Sequence, residues 1–306
     1  MKKSMTLLSA VGALTLGVGL AGPASSAPAD PDTNPSVERK AAATTKADQQ
    51  RVRDYWTPER MKSAKPRDLS NKGQLKKSLK GKPTPAPQAG AEAVRATPQP
   101  TLGKVFFTLG GANYVCSGTA TNSGNGDVVT TAGHCLNEGP GAYATNFAFV
   151  PAYDNGSRPY GTWVAETLLT TTQWKNSGDF NYDVGFAVMA ENTSGQSLTQ
   201  VVGGRQIGFD LGYRLPFESY GYPAASPFDG QRLWKCSGTS TTDTFGGSTD
   251  HGLPCSMTGG SSGGGWFTNG VLNSVNSFKY NADPNTMYGP YFGSTVRSVY
   301  TTAAAS

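Results

Sequence analysis

Ser261 and Ser262 sit among five glycines between Thr258 and Trp266, with a strand-like apolar segment (Trp266, Phe267, Val271, Leu272) directly behind. Glycine lets a backbone bend sharply and bring N–H groups near a ligand. A serine in such a bend presents its hydroxyl while neighbouring amides face a developing negative charge. The same composition also suits a flexible Gly/Ser linker, so the rest of the chain must decide. A serine hydroxyl is a weak nucleophile at neutral pH and needs a base in reach, which in turn needs a group to fix its tautomer. Histidine is the usual base, and the chain has two, His134 and His251. His134 closes Thr131-Ala132-Gly133-His134-Cys135, just after a β-type run, 127–131. Its neighbour Cys135 can be stapled to Cys116, which would hold the histidine backbone still, as proton transfer requires. His251 lies in the polar stretch Ser248-Thr249-Asp250-His251-Gly252 and reads as exposed. For the orienting carboxylate, Asp183 opens the apolar run Val184-Gly185-Phe186-Ala187-Val188, and buried acids are rare unless paired. Asp179 is the rival, but Ser177, Gly178 and Asn181 around it read as solvent-facing loop.

These groups need a rigid frame, and residues 104–306 supply one. Charge falls there, Gly, Thr, Val, Tyr and Phe dominate, and short β-type runs alternate with turn clusters. Runs are expected at 104–109, 114–121, 127–131, 143–150, 163–170, 184–189, 219–222, 232–237, 266–268, 271–276 and 287–292. Turn signals include Gly124-Asn125-Gly126-Asp127, Asp154-Asn155-Gly156 and Thr268-Asn269-Gly270. Many short strands at close spacing predict an all-β sandwich or barrel. A helix is expected over 294–305, with Ser294 as N-cap and Val296, Val299 and Tyr300 on one face.

The front of the chain is different. Lys2 and Lys3, then an apolar stretch of about 16 residues, short of the roughly 20 a spanning helix needs, then an Ala/Ser/Pro-rich segment, read as a secretory signal over 1–29. Residues 30–103 are poor in apolar side chains, with five prolines in 82–100. They read as a propeptide and linker, disordered or weakly helical (over 46–61). The net charge of +5 is uneven: 1–29 contribute +2, 30–104 contribute +8 (16 Lys/Arg, 8 Asp/Glu) and 105–306 contribute −5 (8 against 13). The basic balance belongs to the leader, so the folded part is not expected to bind nucleic acid. Cys116, Cys135, Cys236 and Cys255 predict two disulfides in an oxidising space, with three pairings open. No C-x-x-C spacing is present, and the reading assigns neither a metal nor an organic cofactor.

Cys-Ser-Gly-Thr at 116–119, Thr-Ala-Gly-His-Cys at 131–135, Tyr-Asp-Val-Gly-Phe-Ala at 182–187 and Gly-Ser-Ser-Gly-Gly at 260–264 resemble the chymotrypsin-like serine proteases. The histidine, aspartate and serine come in that family's order. Thr-Gly-Gly-x-Ser-Gly at 258–263 resembles its bacterial secreted branch, the glutamyl endopeptidases. The resemblance covers 104–306. It implies two six-stranded antiparallel β-barrels, 104–195 and 196–306, with the active site between them and a C-terminal helix. It implies His134 as general base, Asp183 as its orienter, Ser262 as nucleophile, and the amides of Gly260 and Ser262 as oxyanion hole. It also implies the disulfide Cys116–Cys135 beside the histidine, leaving Cys236–Cys255. Ser256, Met257 and Thr258 would edge the specificity pocket, with Val275, Asn276, Ser277 and Phe278 along the substrate strand.

Order excludes two competitors. Gly260-x-Ser262-x-Gly264 fits the nucleophile elbow of α/β-hydrolases, but those enzymes need a histidine after the serine, and none follows. A subtilisin-like order would need helix–strand alternation that this chain lacks. There are departures from the resembled pattern too. Ser261 stands where trypsin-type zymogens carry an activating aspartate, and Val275 stands about where glutamyl endopeptidases carry a carboxylate-reading histidine. No acid directly precedes the serine, so the pocket reads as polar-neutral or apolar. The expected protein is a secreted, monomeric serine endopeptidase acting on proteins or peptides, free of the membrane once the signal is removed. The alternative is an inactive homologue that binds peptides or cell-wall components.

Overall fold

In the computed structural model, which describes Met1, 36–67 and 92–306, the front of the chain is folded against the domain behind it. The signal segment, apart from Met1, and the linker up to residue 91 lie outside the described residues. β1 (Val37–Ala41), the helices Lys46–Tyr55 and Pro58–Ser63, and β2 (Lys65–Pro66) follow one another. Thr45 and Thr57 cap the two helices, their side chains accepting from the Asp48 and Arg60 amides. Helix was expected over 46–61 and is found there as these two pieces, whereas the expectation of disorder is corrected for 36–67. That segment has few apolar residues, but Val52, Trp56 and Met61 are all buried against the domain. The Trp56 indole N–H also donates to the Asn146 carbonyl at 2.6 Å. Burying such side chains is worth about 1.5–3 kcal/mol each, and the apolar surface they need comes from the barrel rather than from the segment.

That barrel comprises β4 (Leu102–Leu109), β5 (Ala112–Thr121), β6 (Val128–Thr131), β7 (Thr145–Pro151), β8 (Trp163–Thr171) and β9 (Gly185–Met189). Antiparallel pairing runs β4–β5–β6–β9–β8–β7 and back to β4, so the ring is closed. Val105, Val115, Val129, Phe149, Leu168 and Phe186 are fully buried within it. β1 adds to β8, from Val37 opposite Thr171 to Ala41 opposite Thr167. β2 adds parallel to β5.

The second half departs from expectation. β10 (Pro216–Gly221), β11 (Trp234–Thr239), β14 (Gly265–Thr268) and β15 (Val271–Val275) form one open sheet, joined at the β11 edge by β3 (Val94–Arg95). β12 (Thr241–Thr242), β13 (His251–Pro254), β16 (Phe278–Tyr280) and β17 (Asp283–Gly289) form another. The expected second closed six-stranded barrel is corrected to two sheets packed on a shared core of Phe217, Leu253, Met257, Trp266 and Met287. β3 occupies the edge of β11, and the Cys236–Cys255 disulfide ties β11 to the residue that follows β13. The C-terminal helix is Ser294–Ala304, entered from Gly293 rather than capped by Ser294. It buries Val296, Val299 and Ala303 and packs on β8 and β9 of the first barrel.

Candidate active site

β6 ends at Thr131, and Ala132 leads into a single helical turn, Gly133–Leu136, that carries His134. The histidine is fully buried and bound twice by Asp183. Its backbone N–H donates to Asp183 Oδ1 at 2.7 Å, and Nδ1 lies 2.7 Å from Oδ2. An ionised carboxylate only accepts, so Nδ1 carries the proton and Nε2 presents a lone pair. Nε2 is buried and has no hydrogen-bond partner among the described residues. Asp183 closes the turn Phe180–Tyr182, its amide donating to the Phe180 carbonyl, and it too is fully buried. The Ser277 hydroxyl makes a further short contact to Oδ2. The rival, Asp179, instead accepts from the Asn181 amide and side chain at the start of the same turn.

The disulfide Cys116–Cys135 fastens the histidine's turn to β5, and Cys236–Cys255 is the second pair. The glycine-rich loop lies against this corner. The Ser117 amide donates to the Ser262 carbonyl at 2.7 Å, and the Cys135 sulfur is 3.8 Å from that oxygen. Gly263 approaches so closely that a Cβ there would meet Thr131 Oγ1 at 2.1 Å, and its φ of +78° also favours glycine. Gly260 has φ +97° and abuts the Tyr222 carbonyl. The amides of Ser261, Gly263 and Gly264 donate to Thr258, Asn276 and Ser261 carbonyls, whereas those of Gly260 and Ser262 donate to none among the described residues. Two amides flanking Ser261 thus stay available for an anion.

Asn276 locks this loop. Its Oδ1 accepts from the Ser219 hydroxyl and the Trp266 indole, both at 2.7 Å. Its Nδ2 donates to the Tyr220 and Ser261 carbonyls. With no exposed surface and every side-chain hydrogen-bonding group used, the Asn276 side chain holds the loop. Val275 is likewise buried, paired with Gly265. Ser256, Met257, Thr258, Ser277 and Phe278 do line a cavity of about 380 Å³ beside Ser262.

The sequence reading missed Lys279 and Ser117. Lys279 lines the same cavity, and its ammonium donates to the carbonyls of Cys255 and Pro284. Desolvation pulls its pKa down to about 8. Lys279 thus adds a cation at neutral pH to a pocket expected to be polar-neutral or apolar, and none of the described residues that line it is a carboxylate. The β16–β17 hairpin that aims Lys279 inward has too short a first strand for its pattern to register. The Ser117 hydroxyl donates to the Gly260 carbonyl and accepts from the Tyr222 amide. Position 117 falls inside a quoted motif, but nothing local signals its long-range role. His251 corrects another expectation: it is buried in β13 among Tyr213, Phe217 and Tyr291, where desolvation pushes its pKa down to about 4. Cys116, His134 and Cys135 cluster closely enough to suggest metal ligands, but the two sulfurs are joined in a disulfide and offer no thiolate.

No family profile matches the chain. Among solved structures it is similar to the protease Anisep from Arthrobacter nicotinovorans, 53% identical, with 70% of this chain and 100% of that one covered at a TM-score of 0.68. A thermostable serine protease from an extremophilic microorganism is 46% identical over 68% of this chain and 98% of that one, TM-score 0.65. A Glu endopeptidase, 17% identical and covered in full at a TM-score of 0.58, shares the fold. A curated relative, the "extracellular metalloprotease" of Bacillus subtilis, is 29% identical over 133 residues; the match spans 44% of this chain and 38% of that protein.

Proposed function

The chain belongs to the chymotrypsin-like serine proteases, in their bacterial branch, and we propose that it is a secreted serine endopeptidase working through His134, Asp183 and Ser262. Ser262 Oγ attacks a peptide carbonyl while His134 Nε2 takes its proton. The tetrahedral oxyanion forms against the amides of Gly260 and Ser262. His134 returns the proton to the leaving amine, and Asp183 stabilises the imidazolium between these steps. Water then attacks the acyl carbonyl as His134 takes its proton, and His134 passes that proton to Ser262 Oγ as the ester bond breaks and the acid leaves. The observation that most supports this reading is the paired contact of His134 with Asp183, which sets tautomer and backbone together.

Residues 1–29 serve as signal and 30–103 as a propeptide with linker. Two disulfides, and the extracellular relative, agree with an oxidising destination. The working form is a monomer acting on proteins or peptides. The two sheets of the second half stand in for a second barrel, held together by Cys236–Cys255. The experiment is Ser262→Ala. Peptide hydrolysis should fall by at least about 10³-fold, with the thermal transition unchanged; full retained activity would overturn the assignment.

A further inference from the structure

Lys104 is a charged side chain that the proposed mechanism leaves unused. It is 2% exposed in β4, and its ammonium donates to the Gly230 carbonyl at 2.8 Å. The ring centres of Phe106 and Tyr153 lie 5.0 and 4.8 Å from it. Desolvation pulls its pKa down to about 7, against the pull of the exposed Asp229. An ammonium buried on a backbone carbonyl costs stability, so what that contact holds in place matters more than what it adds.

The contact holds one end of the loop 222–230. Ser117 stands directly opposite Lys104 in the β4–β5 ladder, so the two side chains point to the same side of the sheet. The Ser117 hydroxyl accepts from the Tyr222 amide at 2.8 Å, at the loop's start, while Lys104 takes the Gly230 carbonyl at its end. Both ends are thus held from one spot on the first barrel. The Gly230 amide closes the loop by donating to the Pro223 carbonyl at 2.8 Å. Gly230 also packs so tightly that a Cβ there would sit 2.7 Å from the Ala224 Cβ.

The middle of the loop reaches the segment of the catalytic serine. The amides of Ala224 and Ala225 both donate to the Gly259 carbonyl, at 2.7 and 3.2 Å. Thr258 Oγ1 donates back to the Ala225 carbonyl at 2.7 Å. A trans peptide is planar, with its C=O and N–H pointing opposite ways. Fixing the Gly259 carbonyl therefore fixes the direction of the Gly260 N–H, one of the two amides assigned to the oxyanion. Two glycines flank that peptide, and neither has a side chain to restrain it, so the plane depends on a hold from outside. We propose that Lys104 is a positioning residue for the oxyanion hole: with Ser117 it fixes loop 222–230, and that loop holds the Gly259–Gly260 peptide with its amide toward the developing anion. This rests on the endopeptidase reading.

The test compares wild type with Lys104→Met and Lys104→Gln, active sites being counted with a serine-directed phosphonate. Two probes are used: a cleavable peptide, and a peptide boronate that mimics the tetrahedral intermediate. Lys104→Met should lower kcat at least about tenfold with KM within about twofold, and should weaken boronate binding by a similar factor. Its thermal transition at pH 7 should be no lower, because a buried cation has been removed. Lys104→Gln keeps a neutral donor and should return boronate binding to within about threefold of wild type. If Lys104→Met does not fold, Ser117→Ala carries the comparison, because it releases the other end of the same loop. Undiminished kcat and boronate binding in the variant, or a loss confined to KM, would overturn the assignment. A wild-type enzyme that neither takes the phosphonate nor cleaves the peptide would instead overturn the endopeptidase reading, and the positioning role with it.

Discussion

Ser262 is held by a residue that has no surface to offer a substrate. Asn276 ties the Ser261 carbonyl to β10 and to Trp266 through four hydrogen bonds from one amide. Asn276→Ala strands four buried partners, so stability should drop by about 3 kcal/mol, and kcat should fall with it; thermal melts and steady-state kinetics check both. Asn276→Asp should be no better, because a carboxylate cannot donate to the Tyr220 and Ser261 carbonyls. Lys279 makes a different prediction. Below about pH 8 its ammonium is charged, so peptides that present lysine or arginine to its pocket should be cleaved at least about tenfold more slowly than neutral ones. The gap should narrow above that pH and vanish in Lys279→Met, as a cleavage profile at two pH values would reveal. The sequence pointed to His134, Asp183 and Ser262 because each sits in a short motif whose local pattern carries its chemistry. It passed over Lys279, and the part the Asn276 side chain plays in holding the loop, because those roles come from partners far along the chain: Cys255 for one, Ser219 and Tyr220 for the other.

The elements that hold the site were legible in unequal degree. The first barrel's strands announced themselves by β-branched and aromatic runs, which left sandwich and barrel both open; closure was implied by the family resemblance. The second half has strands of two and three residues, β12 and β16, too short for alternation to show. The leader was read as disordered or weakly helical because its composition was judged alone. In fact, Val52, Trp56 and Met61 borrow the barrel's surface. Trp56→Ala should destabilise the full chain by about 3–5 kcal/mol, seen as a lower denaturant midpoint. A cleavage site engineered within 68–91 should leave 36–67 co-eluting with the rest on gel filtration after the cut, because five residue pairs between β1 and β8 and the buried tryptophan hold it. Prompt dissociation would show that the segment docks only as part of an intact chain. Replacing Cys116 and Cys135 together by serine should cost roughly 3 kcal/mol and should lower activity further by freeing the turn that carries His134.

Across the whole molecule, the basic segment 36–67 rests on a domain of opposite net charge, and one cation of the first barrel is buried. Lys104 is 2% exposed, donates to the Gly230 carbonyl at 2.8 Å, and lies over the rings of Phe106 and Tyr153. Desolvation lowers its pKa to about 7, whereas the unfolded chain keeps that proton to roughly pH 10. Between these values the unfolded state binds more protons, so this group makes stability rise with pH; its cost is fully present below about 7 and relieved on the way up. Lys104→Met should flatten that rise, a difference on the order of a few kcal/mol across the window, read from melting curves of both proteins at pH 6 to 10. All of these elements serve one chemical claim: a single serine made nucleophilic by a buried His134–Asp183 pair. The most direct measurement is to label the active enzyme with a fluorophosphonate and map the adduct by mass spectrometry, alongside a His134→Ala variant. One adduct, on Ser262 and lost in the variant, is the predicted result. Peptide hydrolysis by an enzyme that carries no adduct on Ser262, or labelling that survives without His134, would contradict it.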